Sequence, residues 1–302
     1  MFKKEEKDFI KNIDSNGRIR SQFVVADKII KIAASGRKYI DVNLTDKTGD
    51  IVGRMFPDDN FNDVFEHIAI GKIHRIIGNV NEFPRGSGKF NIIISVIKEL
   101  GEEEYNIEDF IKSSDRNKEE MIVEIMSTIE NIENEHLKKL LDSFFDDEKF
   151  VAEFCNVPSA KVYHHNYVGG LLEHTAEVLK VCKVGVEIFP ELDKDLLYTG
   201  AILHDIGKIR TYEYNLIKID FSNEGKRLDH LFISTDMVKE KIIETKMPDE
   251  LAIEVLHLIL SHHGEVQNGW GSPVTPQTPE ALTLHHADNL DAKVKGMIQK
   301  IN

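Results

Sequence analysis

Histidine and aspartate recur in the second half of this chain at spacings that could hold a metal ion. In GGLLEHTAEVLKVC, Leu171, Thr175, Val178 and Cys182 form a stripe at helical spacing, and His174 falls on the same face. A lone histidine on an apolar face is more often a satisfied core residue than a ligand. The segment GAILHDIGK shifts that balance, because His204 and Asp205 are adjacent after an apolar turn, with Gly207 expected to end the helix. Both side chains can reach one cation, and a buried carboxylate with no counter-charge would be costly. Asp288, four residues after Leu284 in LTLHHADNLDAKV, also faces the core by its spacing. A divalent cation would satisfy His174, His204, Asp205 and Asp288 together.

Three further histidines enlarge the set: His230 in KRLDHLFIS, and His262 with His263 at the close of LHLILSHHG. With His230 and either His262 or His263 near a second cation and Asp205 bridging, a two-metal centre forms, able to clamp a phosphate and activate a bridging water. Imidazole with carboxylate suits Mn, Fe, Co, Ni or Zn better than Mg alone. The chemistry indicated is metal-assisted hydrolysis of a phosphoester, with Asp205 and Lys208 as its catalytic residues. Lys208, one turn past Asp205, is placed to meet a substrate phosphate. His164 and His165, just ahead of GGLLEHT, are expected to line the substrate entrance rather than to bind metal. His257, His285 and His286 read as helix-face or supporting residues.

The elements that must position these residues are helices. From about Lys118 onward, MIVEIMSTIENI, HLKKLLDSFF, GGLLEHTAEVLKVC, LLYTGAILHDIG, HLFISTDMVKEKII, ELAIEVLHLILSHHG and PEALTLHHADNLDAKV carry apolar residues at helical spacing. The front of the chain has a different period. FVVADKII, KYIDVNLTD, DIVGRMF, KIHRIIGNV and KFNIIISVIKEL read as five strands, with a helix near Asp59 to Ile70 between the third and fourth. That order matches an OB-fold, a small barrel that often binds oligonucleotides. The fold class is therefore multidomain: an all-β OB-fold barrel for nucleic acid over 1–100, a charge-rich linker over 101–120, and an all-α helical bundle carrying the hydrolytic site over 121–302. Arg85 and Lys89, in the glycine-rich EFPRGSGKF turn, are candidate contacts to a nucleic-acid backbone. Phe23, Tyr39, Phe56 and Phe90 are read as barrel core in preference to base-stacking platforms.

Charge divides in the same place. The whole chain carries a net −14, but residues 1–100 hold 17 basic and 14 acidic side chains, net +3, and the remainder holds 21 and 38, net −17. A mildly basic front can track a phosphate backbone, and an acidic rear is acceptable where it holds divalent cations. Hydrophobic residues at 41% and charged residues at 30% fit a folded globular protein and exclude a disordered or fibrous one. No apolar run approaches the roughly 18 residues needed to cross a bilayer. The first residues, MFKKEEKDFIKNID, lack the apolar stretch of a signal peptide. Cys155 and Cys182 form no CxxC pair, which argues against a disulfide framework or a thiolate metal site. These features lead to an expected cytoplasmic location and no membrane partner.

His174, His204, Asp205 and Asp288 match the pattern of the HD superfamily: a first His, an adjacent His and Asp, and a late Asp. The likeness is closer than the four residues. YHHNYVGGLLEHT, LHDIGK, LILSHHGE, WGSPVTP and EALTLHHADNLDAK, behind an OB-like front, resemble the YhaM-type 3′-to-5′ exoribonucleases of Gram-positive bacteria over nearly the whole chain. That resemblance implies exonucleolytic hydrolysis of single-stranded RNA to mononucleotides, with Mn2+ or a similar ion. Single-stranded DNA is a second candidate substrate, and assembly of several copies is compatible with the sequence. Two other readings stand beside it: an HD-type hydrolase of a small nucleotide or cyclic dinucleotide, and a non-catalytic single-strand-binding protein.

Overall fold

Alternation at period two shapes the front of the chain. The structure, a computed structural model, describes all residues except 1–3, 58–59, 112, 115, 162–164, 166, 217–218, 269–270 and 302. Its contacts divide the chain into two compact units, Met1–Ser113 with Tyr214–Lys218, and Ser114–Glu213 with Ile219–Asn302.

In strand β2 (Lys38–Asp46), Ile40, Val42 and Leu44 are fully buried at alternate positions, as a strand with one face on a core requires. With β1 (Gly17–Ile32), β3 (Gly49–Met55), β4 (Ile73–Glu82) and β5 (Phe90–Glu99), it closes into a barrel of order β1-β2-β3-β5-β4. All neighbours are antiparallel except β3 and β5, whose parallel register runs from Val52↔Asn91 to Met55↔Ile94. Helix α1 (Phe61–His67) lies between β3 and β4 in the chain, and its Phe61, Val64 and Phe65 pack on the barrel core. This is the OB-fold expected from the sequence.

β1 is longer than the run FVVADKII. It begins at Gly17 and pairs with both β2 and β4, with a register shift between Val25 and Asp27. Such an irregularity lets one long strand bend between two neighbours. In the stretch 101–120, two 3-10 turns, Glu102–Glu104 and Ile107–Asp109, lead Phe110 into a small cluster with Val24, Ile73 and Leu100.

The second unit is a bundle of helices. They are α2 (Lys118–Glu130), α3 (Glu135–Phe145), α4 (Glu148–Phe154), α5 (Gly170–Ile188), α6 (Lys194–Leu203), α7 (Lys208–Thr211), α8 (Gly225–Thr245), α9 (Asp249–Ser261) and α10 (Pro279–Ile301). Several starts are written in the sequence: Asn117, Asn134, Asp147 and Asp193 each cap a helix by accepting a bond from a backbone N–H two or three residues on. One continuous core joins Met121 and Ile125 of α2, Leu137 and Leu141 of α3, Val178 and Leu179 of α5, Ile202 of α6, Leu258 of α9 and Leu284 of α10. Among the described residues the expected all-α character is interrupted once. Tyr212–Tyr214 (β6) and Ile219–Phe221 (β7) form a two-stranded sheet, each strand too short for an alternation to register in sequence.

Candidate metal centre

His174 projects from the first turns of α5, and the chain reaches that point through two glycines with different tasks. Gly169 takes a positive φ of 81° just before the helix. At Gly170 a Cβ would lie 2.0 Å from the His165 carbonyl oxygen, so no larger residue fits. His204 and Asp205 follow α6, which ends at Leu203, four residues before Gly207. Gly207 serves another purpose than the helix stop expected of it: a Cβ there would sit 2.4 Å from the Ser234 nitrogen, so glycine lets the turn 204–207 press against α8. Asp229 breaks α8 with φ 64° and ψ 154°, and His230 follows immediately. His262 and His263 close α9, and Asp288 lies midway along α10.

These elements bring the polar atoms together. His174 Nε2 lies 3.2 Å from His204 Nε2, 3.3 Å from Asp205 Oδ2 and 3.2 Å from Asp288 Oδ1. His204 Nε2 lies 3.4 Å from the same Asp205 oxygen. The other oxygen of Asp205, Oδ1, faces His230 Nε2 at 3.5 Å and His262 Nε2 at 3.7 Å. His230 Nε2 and His263 Nε2 are 3.2 Å apart. His174, His204, Asp205, Asp288, His230 and His262 are all buried, and one aspartate turns one oxygen to each histidine group.

The outer ring nitrogens decide what the inner ones present. His204 Nδ1 is 2.9 Å from the Ala201 carbonyl, His262 Nδ1 is 2.7 Å from the Ile259 carbonyl, and His174 Nδ1 is 2.6 Å from Asp291 Oδ2. Oxygens of these kinds only accept, so each Nδ1 carries the hydrogen and, in the neutral ring, each Nε2 directs a lone pair inward. His230 is braced the same way, with Nδ1 2.9 Å from Asp229 Oδ1. Converging lone pairs repel unless a cation lies among them.

The donor set fits a divalent metal. Ligand atoms about 2.1 Å from a common ion lie about 3.0–3.4 Å apart in octahedral or tetrahedral arrangements, close to the separations in the His174 group. Asp205 Oδ1 and His262 Nε2 are buried with no hydrogen-bond partner among the described residues, which a bound ion would supply. His174, His204 and Asp205, and separately His230, His262 and His263, offer ligand atoms within 4.8 Å of one another. The site is therefore suited to divalent metal.

Charge is arranged accordingly. Burial alone would raise the Asp205 carboxyl, but Lys208, His204 and His174 outweigh it and hold it well below the usual carboxylate range. Asp288 is likewise pushed up by burial and pulled below the carboxylate range by His174 and its neighbours. For His174, burial works against the charged ring, yet bonds to Asp205, Asp288 and Asp291 raise it well above an ordinary imidazole. His262 and His263 move the other way, lowered by burial and by neighbouring histidines. Lys208 is buried, donating to Asp205 Oδ2 and, at 3.1 Å, to Ser159 Oγ.

The remaining sequence candidates separate from this cluster. His165 is fully buried beside Tyr167 and Asp291, so it does not line an open entrance as expected. His164 lies outside the described residues. Arg85 and Lys89 belong to the other unit, exposed in the loop between β4 and β5. Of the four front aromatics, Phe23 is fully buried, while Tyr39 and Phe56 are half-buried and stack with centroids 5.2 Å apart. His285 supports the cluster by its Nδ1, 2.8 Å from the His262 carbonyl. Reasoning from sequence missed Asp291, Asp229 and Ser159. Asp291 had a signal, an acid one helical turn after Asp288; Asp229 and Ser159 had none.

Two family descriptions match these halves: an OB-fold nucleic acid binding domain over residues 23–100 and an HD domain over 171–293. The chain is 33% identical over 267 residues to the 3′-5′ exoribonuclease YhaM of Bacillus subtilis strain 168, covering 88% of this chain and 82% of the relative. It is 31% identical over 281 residues to the 3′-5′ exoribonuclease YhaM of Bacillus velezensis, covering 92% and 85%. The chain belongs to the YhaM family. Among solved structures, the mitochondrial single-stranded DNA binding protein Rim1 of S. cerevisiae aligns with 28% of this chain and 93% of its own, at 11% identity and a TM-score of 0.24. No helix among the described residues is long and apolar enough to cross a membrane.

Proposed function

We propose that this protein is a metal-dependent 3′-to-5′ exoribonuclease that shortens single-stranded RNA to mononucleotides. The observation that carries the reading is Asp205, a buried carboxylate with one oxygen on each of two histidine groups whose lone pairs converge. In this reading His174, His204, Asp205 Oδ2 and Asp288 hold one ion, and His230, His262 and His263 with Asp205 Oδ1 hold another, with Mn2+ the preferred metal and Fe, Co, Ni or Zn able to replace it. Bound divalent metal supplies Lewis-acid polarisation of the scissile phosphate and a water of lowered pKa.

The chain's own groups do the rest. Asp205 stays ionised because Lys208 sits on it, so it is available as a ligand at neutral pH. Lys208 places a positive charge beside the point where a phosphate oxygen must arrive. The backbone carbonyls behind His204 and His262 and the carboxylate behind His230 keep the rings from turning. A site built of buried side chains admits a flexible strand end more readily than the middle of a duplex. The barrel over 1–100, with Arg85 and Lys89, takes the role of strand binding, 101–120 joins it to the rest, and 121–302 carries the hydrolysis. The polarity and the RNA substrate are those named for the Bacillus relatives. The free Cys155 and Cys182 agree with a cytoplasmic setting.

A 5′-labelled single-stranded RNA incubated with the protein and Mn2+ tests the reading. Stepwise shortening through a ladder is expected, slowed by a blocked 3′ end. Immediate release of the labelled 5′ nucleotide, or cutting of a circular RNA, would overturn the polarity or the exonuclease assignment.

A further inference from the structure

The outer edge of the His174 ring opens onto a buried polar chain that the hydrolytic site does not itself use. Asp291 Oδ2 accepts from His174 Nδ1 at 2.6 Å and lies 2.9 Å from His165 Nε2. His165 Nδ1 is 3.0 Å from the Tyr167 hydroxyl, which donates to Glu173 Oε2 at 2.9 Å, and Lys295 donates to the other Glu173 oxygen.

His165 is held firmly for a residue in a loop. Its φ of 51° lies in the left-handed region, which costs a non-glycine residue energy that the surroundings must impose. Its carbonyl accepts from the Ser159 N–H at 3.1 Å, and Ser159 Oγ in turn receives Lys208. Gly170 exists as glycine because that same carbonyl fills the space of a Cβ. His165 is therefore tied to the centre by both its backbone and its side chain.

The bracing of His174 differs in kind from that of His204 and His262, and it differs from the Asp229 brace of His230 in that Asp291 is buried whereas Asp229 is exposed. His204 and His262 donate to backbone carbonyls, which fix a ring but bring no charge. His174 donates to a carboxylate, which fixes the ring and also makes it a stronger donor to a metal. Asp291 sits three residues after Asp288 on α10, so one helix face delivers a candidate ligand and the brace of another ligand together.

We propose that Asp291, held by His165, is a positioning residue of the metal centre that fixes the tautomer and direction of His174 and strengthens it as a ligand. The proposal rests on the reading of His174 as a ligand. Isothermal titration of the metal-free full chain with Mn2+ tests it. Asp291→Asn should bind the tighter Mn2+ about 10- to 100-fold more weakly than the parent. Tyr167→Phe, which disturbs the same chain two steps further out, beyond His165, should bind it within a few-fold of the parent. Equal binding by Asp291→Asn and the parent would overturn the positioning role alone, and equal losses in both variants would reduce it to general packing. A parent that binds no Mn2+ would overturn the metal-site reading with it. A measurement that needs no variant stands beside this: nitrogen NMR of the zinc-loaded parent should show His174 protonated at Nδ1 only, and a proton on Nε2 would overturn the proposal.

Discussion

The two histidine groups around Asp205 look alike in composition and differ in charge. On the His174 and His204 side, Asp205 Oδ2 is joined by Asp288, with Asp291 immediately behind and Lys208 as the opposing cation. On the other side, His230 and His262 face Asp205 Oδ1, His263 lies against His230, and the carboxylate behind His230 is the exposed Asp229. In the proposed two-ion reading, the first group would be the tighter and harder site, suited to an oxygen-loving ion such as Mn2+, and the second the weaker, better matched to a more nitrogen-loving ion. Backbone geometry points the same way: His174 rises from a regular helix, whereas His230 follows a break at Asp229.

The largest effect should come from the residue common to both sides. Asp205→Asn keeps an acceptor for Lys208 but removes the shared charge, and should lower turnover of a single-stranded RNA by about three orders of magnitude, equivalent to about 4 kcal/mol of barrier. Its helical circular dichroism should match the parent. Near-parental turnover would show that the two groups do not depend on a shared carboxylate.

One-sided changes come next. Asp288→Asn should weaken the tighter Mn2+ site by about 100-fold, about 2.7 kcal/mol, and His263→Ala should weaken only the looser one, by about tenfold. Titration calorimetry separates the two, and a reversal of which site suffers would invert the comparison.

Acidity offers a finer distinction. The metal-free His174 ring is raised above the ordinary imidazole value, so an ion must displace a proton from it until pH passes that raised value. His262 and His263 are lowered, so above about pH 6.5, the ordinary imidazole value, they have no proton to lose. Between pH 6.5 and 8 the affinity of the tighter site should climb by up to about tenfold per pH unit, while that of the looser site stays nearly level. Parallel pH slopes at both sites would remove this distinction.

The smallest effect belongs to the barrel. Arg85→Ala with Lys89→Ala should weaken binding of a single-stranded 20-mer a few-fold at low salt and lower the salt slope by about 1.4, roughly 0.7 for each lost contact. Fluorescence anisotropy across a salt series would read it, and an unchanged slope would leave the loop without a backbone contact.

How much of this was legible in the sequence follows from periodicity. Ile40, Val42 and Leu44 alternate, and Leu171, Val178 and Cys182 recur at helical spacing, so barrel and bundle could both be read directly. His174, Asp205 and Asp288 stood out because buried charge demands a partner. The three-residue strands β6 and β7 were too short to show a period. His165 was misread as an entrance residue because its burial comes from a left-handed backbone turn and from Asp291, 126 residues away in the chain. Gly207 looked like a helix stop because the spacing cannot reveal that Ser234 presses against it. Contacts made across long stretches of chain leave little local trace.

Anomalous diffraction at the manganese edge from crystals soaked in Mn2+ tests the central claim most directly. Two peaks are expected, one on each side of Asp205, with the stronger among His174, His204 and Asp288 and the weaker among His230, His262 and His263. A single peak that leaves Asp205 Oδ1 without a cation, or peaks away from Asp205 altogether, would contradict it.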